Sequence, residues 1–138
     1  MSAGKNARLT ALKALLRVDE EKGYSNLVLD HGLTASGLDG RDAAFASALV
    51  YGVLERRITL DYQISHYSKM PLCQMAAPVR EILRLGFYQL LYMDKVPQSA
   101  AVNESVKLTR AVKKDRASGF VNGILRSFIR DGCPCRLP

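Results

Sequence analysis

The side chains able to do chemistry in this chain are few and scattered. Cys73, Cys133 and Cys135 are an odd number without the paired spacing of a zinc site, so free reduced thiols are the first reading. Cys133-Pro134-Cys135 as half of a metal site or a redox pair is the second. His31 and His66 have no cysteine or second histidine at ligand spacing and read as structural or surface residues. Glu20-Glu21 falls on a helix end, where a solvated pair is a simpler account than a general acid and base. There is no Gly-rich loop after a strand, no Gly-Lys-Ser/Thr phosphate loop and no Gly-x-Ser-x-Gly elbow. The chain therefore reads as a binder and not an enzyme, with no catalytic residue, metal or cofactor of its own.

What the chain does carry is positive charge, and its placement is uneven. The net charge is +7, and residues 103–138 hold eight Lys or Arg against three acids, a local +5. Lys107, Arg110, Lys113 and Lys114 form a basic face opposite Val102, Val106, Leu108 and Val112, with Arg126 following in the next helix. Such clustering suits an anionic partner, most often a nucleic acid, and a solvated helix face is the competing account. Arg8 near the start and Arg56-Arg57 at mid-chain are further candidate contacts. Arg80 and Arg84, one helical turn apart, read as surface charges or phosphate contacts. Asn103, Glu104 and Asn122 fall near the inward sides of apolar helices, where amides satisfied between the two helices are one reading and contact with RNA the other.

The elements that must position these residues are all helical. Val79, Ile82, Leu83, Gly86, Phe87, Leu90 and Leu91 recur on one face of a helix opened by Pro78, and Phe120, Val121, Ile124, Leu125, Phe128 and Ile129 repeat the pattern in another, capped by Ser118. Between them, Pro97 or Ser99 starts the basic helix. Earlier in the chain, Leu9, Leu12, Leu15, Leu16 and Val18 predict a helix over Lys5 to Glu21 that stops at Gly23. Ser25 or Asn26 caps a short second helix through Leu29 to Leu33, and turn formers follow between Gly32 and Gly40. Asp39 and Asp42 open a third, carrying Phe45, Ala46, Leu49, Val50, Val53 and Leu54; its Gly52 marks a close approach by another helix. Leu60, Ile64 and Tyr67 give a fourth, closed near Met70-Pro71. The expected fold is all-α, a bundle of about seven helices. Pro71 to Ala77 is too short and apolar for a flexible linker, so the two halves should share an interface. With no run of 18 apolar residues and no signal peptide, the chain is expected in the cytoplasm, off the membrane.

Three strings, Arg84-Leu85-Gly86-Phe87-Tyr88-Gln89-Leu90, Ala100-Ala101-Val102-Asn103-Glu104-Ser105-Val106 and Phe120-Val121-Asn122-Gly123-Ile124-Leu125-Arg126, resemble the C-terminal helices of the NusB-like family. Tyr24-Ser25-Asn26, Leu29-Asp30, Leu49-Val50-Tyr51-Gly52-Val53 and Leu60-Asp61-Tyr62 narrow the resemblance to the N-terminal domain of the Sun/RsmB family of bacterial 16S rRNA cytosine methyltransferases. The resemblance implies two packed helical subdomains. It implies an RNA-binding, substrate-positioning domain over residues 1–132, with 133–138 as the start of a linker to an absent methyltransferase domain that acts in cis and holds S-adenosylmethionine. The 16S rRNA would be the partner. A NusB-type antitermination factor binding boxA RNA with NusE is the alternative, and a protein-interaction module the third. NusB begins with an arginine-rich stretch, whereas this chain offers only Lys5, Arg8 and Lys13 there, so the later cations are the better RNA candidates.

Overall fold

The computed structural model describes residues 6–20 and 37–138. Among them lie six α-helices and no strand: α1 (Ala7–Glu20), α2 (Gly40–Glu55), α3 (Arg57–Ser65), α4 (Ala77–Tyr92), α5 (Gln98–Ala111) and α6 (Ser118–Arg130). The all-α expectation holds. The short helix expected at Leu29 to Leu33, with its cap, the Gly23 stop and His31, lies outside the described residues.

Local chemistry sets most of the boundaries. The side-chain oxygen of Asn6 accepts from the backbone N–H groups of Arg8 (2.9 Å) and Leu9 (3.1 Å), so α1 begins two residues later than the apolar pattern suggests. Asp39 caps α2 as expected, accepting from the Asp42 N–H at 2.9 Å. Ser118 does not cap α6. A short 3-10 turn over Asp115–Ala117 runs straight into the helix, and the Ser118 hydroxyl instead donates back to the Asp115 carbonyl. The helix ends on Gly132, whose φ of +87° lets Cys133 N–H reach the Phe128 carbonyl and Gly132 N–H the Ile129 carbonyl.

Helix α4 is the hub, packing against each of the other five helices. Its residues Ile82, Leu83, Leu85 and Phe87 are fully buried, and one continuous apolar core joins Leu12 and Leu15 of α1, Leu49 and Val53 of α2, Leu60 and Ile64 of α3, and Leu125 and Phe128 of α6. The two halves thus share their interior, with Phe87 stacked on Phe128 at 4.3 Å between ring centres.

Two glycines open the hub to its neighbours. A Cβ on Gly52 of α2 would land on the ring of Tyr88 from α4, which is the close approach its position implies. A Cβ on Gly86 of α4 would press on Leu125 of α6 and the Ser105 hydroxyl of α5. Helix α5 accordingly turns inward a face that keeps Val102 and Leu108 of the expected apolar side and adds Ser105 and Thr109. Ala101, Val102, Ser105, Leu108 and Thr109 are buried while Val106 is only half so. Burying Ser105 and Thr109 is tolerable because their hydroxyls donate to their own helix, at Ala101 (2.7 Å) and Val106 (2.6 Å).

Candidate nucleic-acid interface

The inward turn of Ser105 and Thr109 fixes what α5 shows to solvent. Asn103, Lys107 and Arg110, spaced four and three apart, share the opposite face. Helix α6 packs against α5 and brings Asn122 alongside. Together they wall a groove of about 580 Å³ whose lining includes Ser99, Asn103, Glu104, Lys107, Arg110 and Asn122. Asn103 is exposed, and Glu104 and Asn122 are half-buried, so they form a groove and do not satisfy each other between the helices as their apolar surroundings suggested. Asn122 accepts from Arg126 Nε at 3.0 Å on its own helix.

Two of the expected cations, Lys107 and Arg110, line this groove, and Arg126 reaches it through Asn122. Lys107 is exposed, with its Nζ 3.2 Å from Glu104 Oε2. Arg110 is exposed on the rim, and Arg126 is exposed on α6. Lys113 and Lys114 follow at the turn that ends α5, where Lys113 N–H donates to the Arg110 carbonyl and Lys114 N–H to Thr109. That closing turn puts Lys113 at φ +58°, a conformation usually left to glycine. Among the described residues the side chains of Arg110, Lys113 and Lys114 have no ion-pair or hydrogen-bond partner, which leaves three charges available to an anion.

The other candidates have neighbours in the fold. Arg8 Nε donates to Gln89 Oε1 at 2.8 Å, and its guanidinium lies 5.1 Å from the centre of the Phe45 ring. Burial pulls the Arg8 pKa below its ordinary value, and the nearby Glu104 carboxylate opposes that shift. Arg56 stacks over Tyr92 at 4.2 Å. Arg57 is half-buried at the start of α3, and its charge is felt by Glu81.

Arg84 is neither a surface charge nor a phosphate contact. Its Nε and second terminal nitrogen grip Asp61 at 2.7 and 2.8 Å, and the other terminal nitrogen donates to Glu81 at 2.6 Å. Arg80 donates to the same Glu81 at 3.3 Å. Burial alone would lower the Arg84 pKa, but Asp61 and Glu81 together hold it above its ordinary value.

Two buried glutamines are functional parts of the frame that periodicity does not reveal. Gln89 ties α4 to Arg8 and to the Leu85 carbonyl. The Gln63 amide donates to the Arg136 carbonyl and accepts from the Arg136 N–H, at 2.8 and 2.9 Å, strapping the last residues onto α3. Arg136 also donates to the Tyr67 hydroxyl at 2.9 Å. Along this strap Cys133 lies 3.8 Å from the Gln98 amide, and Cys135 lies 3.8 Å from the Tyr92 hydroxyl. All three cysteines are free thiols, and burial raises that of Cys133. Among the described residues no three metal-ligating side chains converge, and no described helix is long and apolar enough to cross a membrane.

This geometry, a polar groove edged by cations on a six-helix frame, meets a known family. The model of the NusB family matches residues 5–130. The chain belongs to the NusB family. Over 130 residues it is 35% identical to a probable ribosomal RNA small subunit methyltransferase B of Bacillus subtilis strain 168, which spans 94% of this chain and 29% of that protein. The chain thus spans under a third of the length of the methyltransferase relatives it matches. Over 128 residues it is 36% identical to the transcription antitermination protein NusB of Bacillus velezensis, covering 92% of this chain and 95% of that protein. Its fold superimposes with a TM-score of 0.82 on a chain from a crystal structure of the antitermination factors NusB and NusE in complex with dsRNA, at 20% identity and over 91% of this chain and 95% of that one.

Proposed function

We propose that this chain is an RNA-binding, substrate-positioning domain of a 16S rRNA methyltransferase, not catalytic by itself. Residues 1–132 form the binding domain, and 133–138 lead toward a methyltransferase domain in cis. The observation that carries the reading is the cationic edge of α5 and α6, in which Arg110, Lys113 and Lys114 have no protein partner among the described residues. Free cations, Arg110 at the groove and Lys113 and Lys114 at the turn that ends α5, contact phosphates and position an RNA without reading its sequence. The methyltransferase relatives support such a parent. S-adenosylmethionine would belong to that other domain: the described residues here are helical and offer no strand followed by a Gly-rich loop. A cytoplasmic setting goes with this reading.

A NusB-type antitermination factor is supported to the same degree, because a relative of that kind matches at 36% identity over 95% of its own length. That reading gives boxA RNA and NusE as partners. A fluorescence-anisotropy titration against a 16S rRNA helix fragment and a boxA oligonucleotide, at about 50 and 200 mM salt, separates the two. Preference for the rRNA fragment supports the methyltransferase domain, and preference for boxA supports antitermination. In either case, replacing Lys107, Arg110, Lys113 and Lys114 by Ala should weaken binding and flatten its salt dependence with little change in unfolding midpoint. Absence of RNA binding, with partner capture that survives high salt, would leave a protein-interaction module.

A further inference from the structure

The groove holds more than phosphate chemistry requires. Its half-buried floor is a carboxylate, Glu104, beside an amide, Asn122; an exposed amide, Asn103, and a hydroxyl, Ser99, stand at its edge. A phosphate is repelled by the Glu104 carboxylate, and Lys107, the cation nearest it, is already tied to it at 3.2 Å. Asn122 has its oxygen taken by Arg126, which leaves its NH2 to donate, and the Asn103 amide has no hydrogen-bond partner among the described residues. What fits is a neutral, planar group that both donates and accepts hydrogen bonds. The volume, about 580 Å³, lies within the range of small-molecule pockets.

We propose that this groove is a base-reading pocket for one unpaired nucleotide, with Glu104 accepting from the base amino group, Asn103 and Asn122 completing the contact, and Arg110 and Arg126 holding the flanking phosphates. This rests on the RNA reading above and adds base selection to it. A paired base has its hydrogen-bonding edge occupied, and the deep major groove of an RNA duplex keeps side chains out, so the pocket takes a base from a loop, bulge or single strand. The carboxylate favours bases that carry an exocyclic amino group, and uracil, which lacks one, is the poorest ligand.

The test is fluorescence anisotropy with the whole chain and four labelled probes: an all-uridine oligonucleotide and the same strand with a single central adenosine, cytidine or guanosine. Each is also measured annealed to its complement. The amino-bearing single strands should bind about tenfold more tightly than the all-uridine strand and than the duplexes. Replacement Glu104→Leu removes the acceptor and releases Lys107, so the preference should vanish while the all-uridine strand binds more tightly than before. Asn103→Ala, on the exposed rim, should reduce the preference with the fold untouched. Arg110→Ala should lower the salt slope and keep the preference. Equal binding of strand and duplex, equal binding of all four strands, or a preference that survives Glu104→Leu overturns the pocket while leaving RNA binding intact. Failure of the unaltered chain to bind any of the probes overturns the RNA reading itself, and this inference with it.

Discussion

Lys113 occupies a left-handed conformation at the turn closing α5, where glycine is the unstrained choice and a side chain costs about 1–2 kcal/mol. A lysine at such a strained position is a candidate for a use of its charge. Lys113→Gly should therefore raise stability by up to about 1 kcal/mol, since glycine's greater unfolded-state freedom offsets part of the gain. RNA affinity should fall in the same variant. Urea unfolding at constant m-value reads the first effect and anisotropy the second; a variant that loses stability would mean the lysine supports the turn by some other contact. At this scale the sequence is readable where one residue type has one physical use. Asp39 caps α2 and Gly52 admits Tyr88, as their types and places imply. It is silent where the partner is distant. Nothing near Gln63 announces that its amide will grip the backbone of Arg136, 73 positions away.

The pairing of α3 with α4 depends on an ion network that helical spacing does not disclose. Arg80 and Arg84 fall one turn apart on α4, which from periodicity alone suggests a surface stripe. Asp61, 23 positions earlier, and Glu81 turn Arg84 inward instead. Helix α5 shows the converse. Val102 and Leu108 of its expected apolar face are buried, but Gly86 also receives Ser105 into the core, while Asn103 and Glu104 line the groove. The network has a consequence for pH. Burial raises the Glu81 pKa above its ordinary 4.5, against the pull of Arg84 and Arg80. A carboxyl that holds its proton more tightly folded than unfolded contributes most below its unfolded pKa, and that contribution is lost as pH rises through the folded value. Glu81→Gln keeps an acceptor for Arg84 and removes the titration. Measured by urea unfolding from pH 4.5 upward, the stability of the variant relative to the unaltered chain should improve as pH rises, and a difference independent of pH would mean that Glu81 ionises equally in both states.

Whether the molecule behaves as one unit turns on α4. That the earlier and later helices share an interface was legible in the sequence, because the Pro71–Ala77 connector is too short and apolar to let them separate. The means of joining was not, since it lies in side-chain contacts between helices far apart in the chain. Arg8 and Gln89 join α1 to α4, and the tilted Tyr88 ring fills the notch at Gly52 between α2 and α4. With one continuous core running from Leu12 to Phe128, loosening α2 from α4 should loosen everything. Gly52→Ala tests this by placing a methyl group on the Tyr88 ring, an overpacking that should cost about 1–3 kcal/mol. Chemical denaturation should remain a single transition with an unchanged m-value and a lowered midpoint. Hydrogen exchange carries the sharper comparison, because the slowest amides report global unfolding. The slowest amides of α1 and of α6 should lose protection by the same free energy, although α6 does not hold the altered residue. Loss confined to α1 and α2 would mean that the halves open independently and that the core, continuous in space, is divided in its energetics.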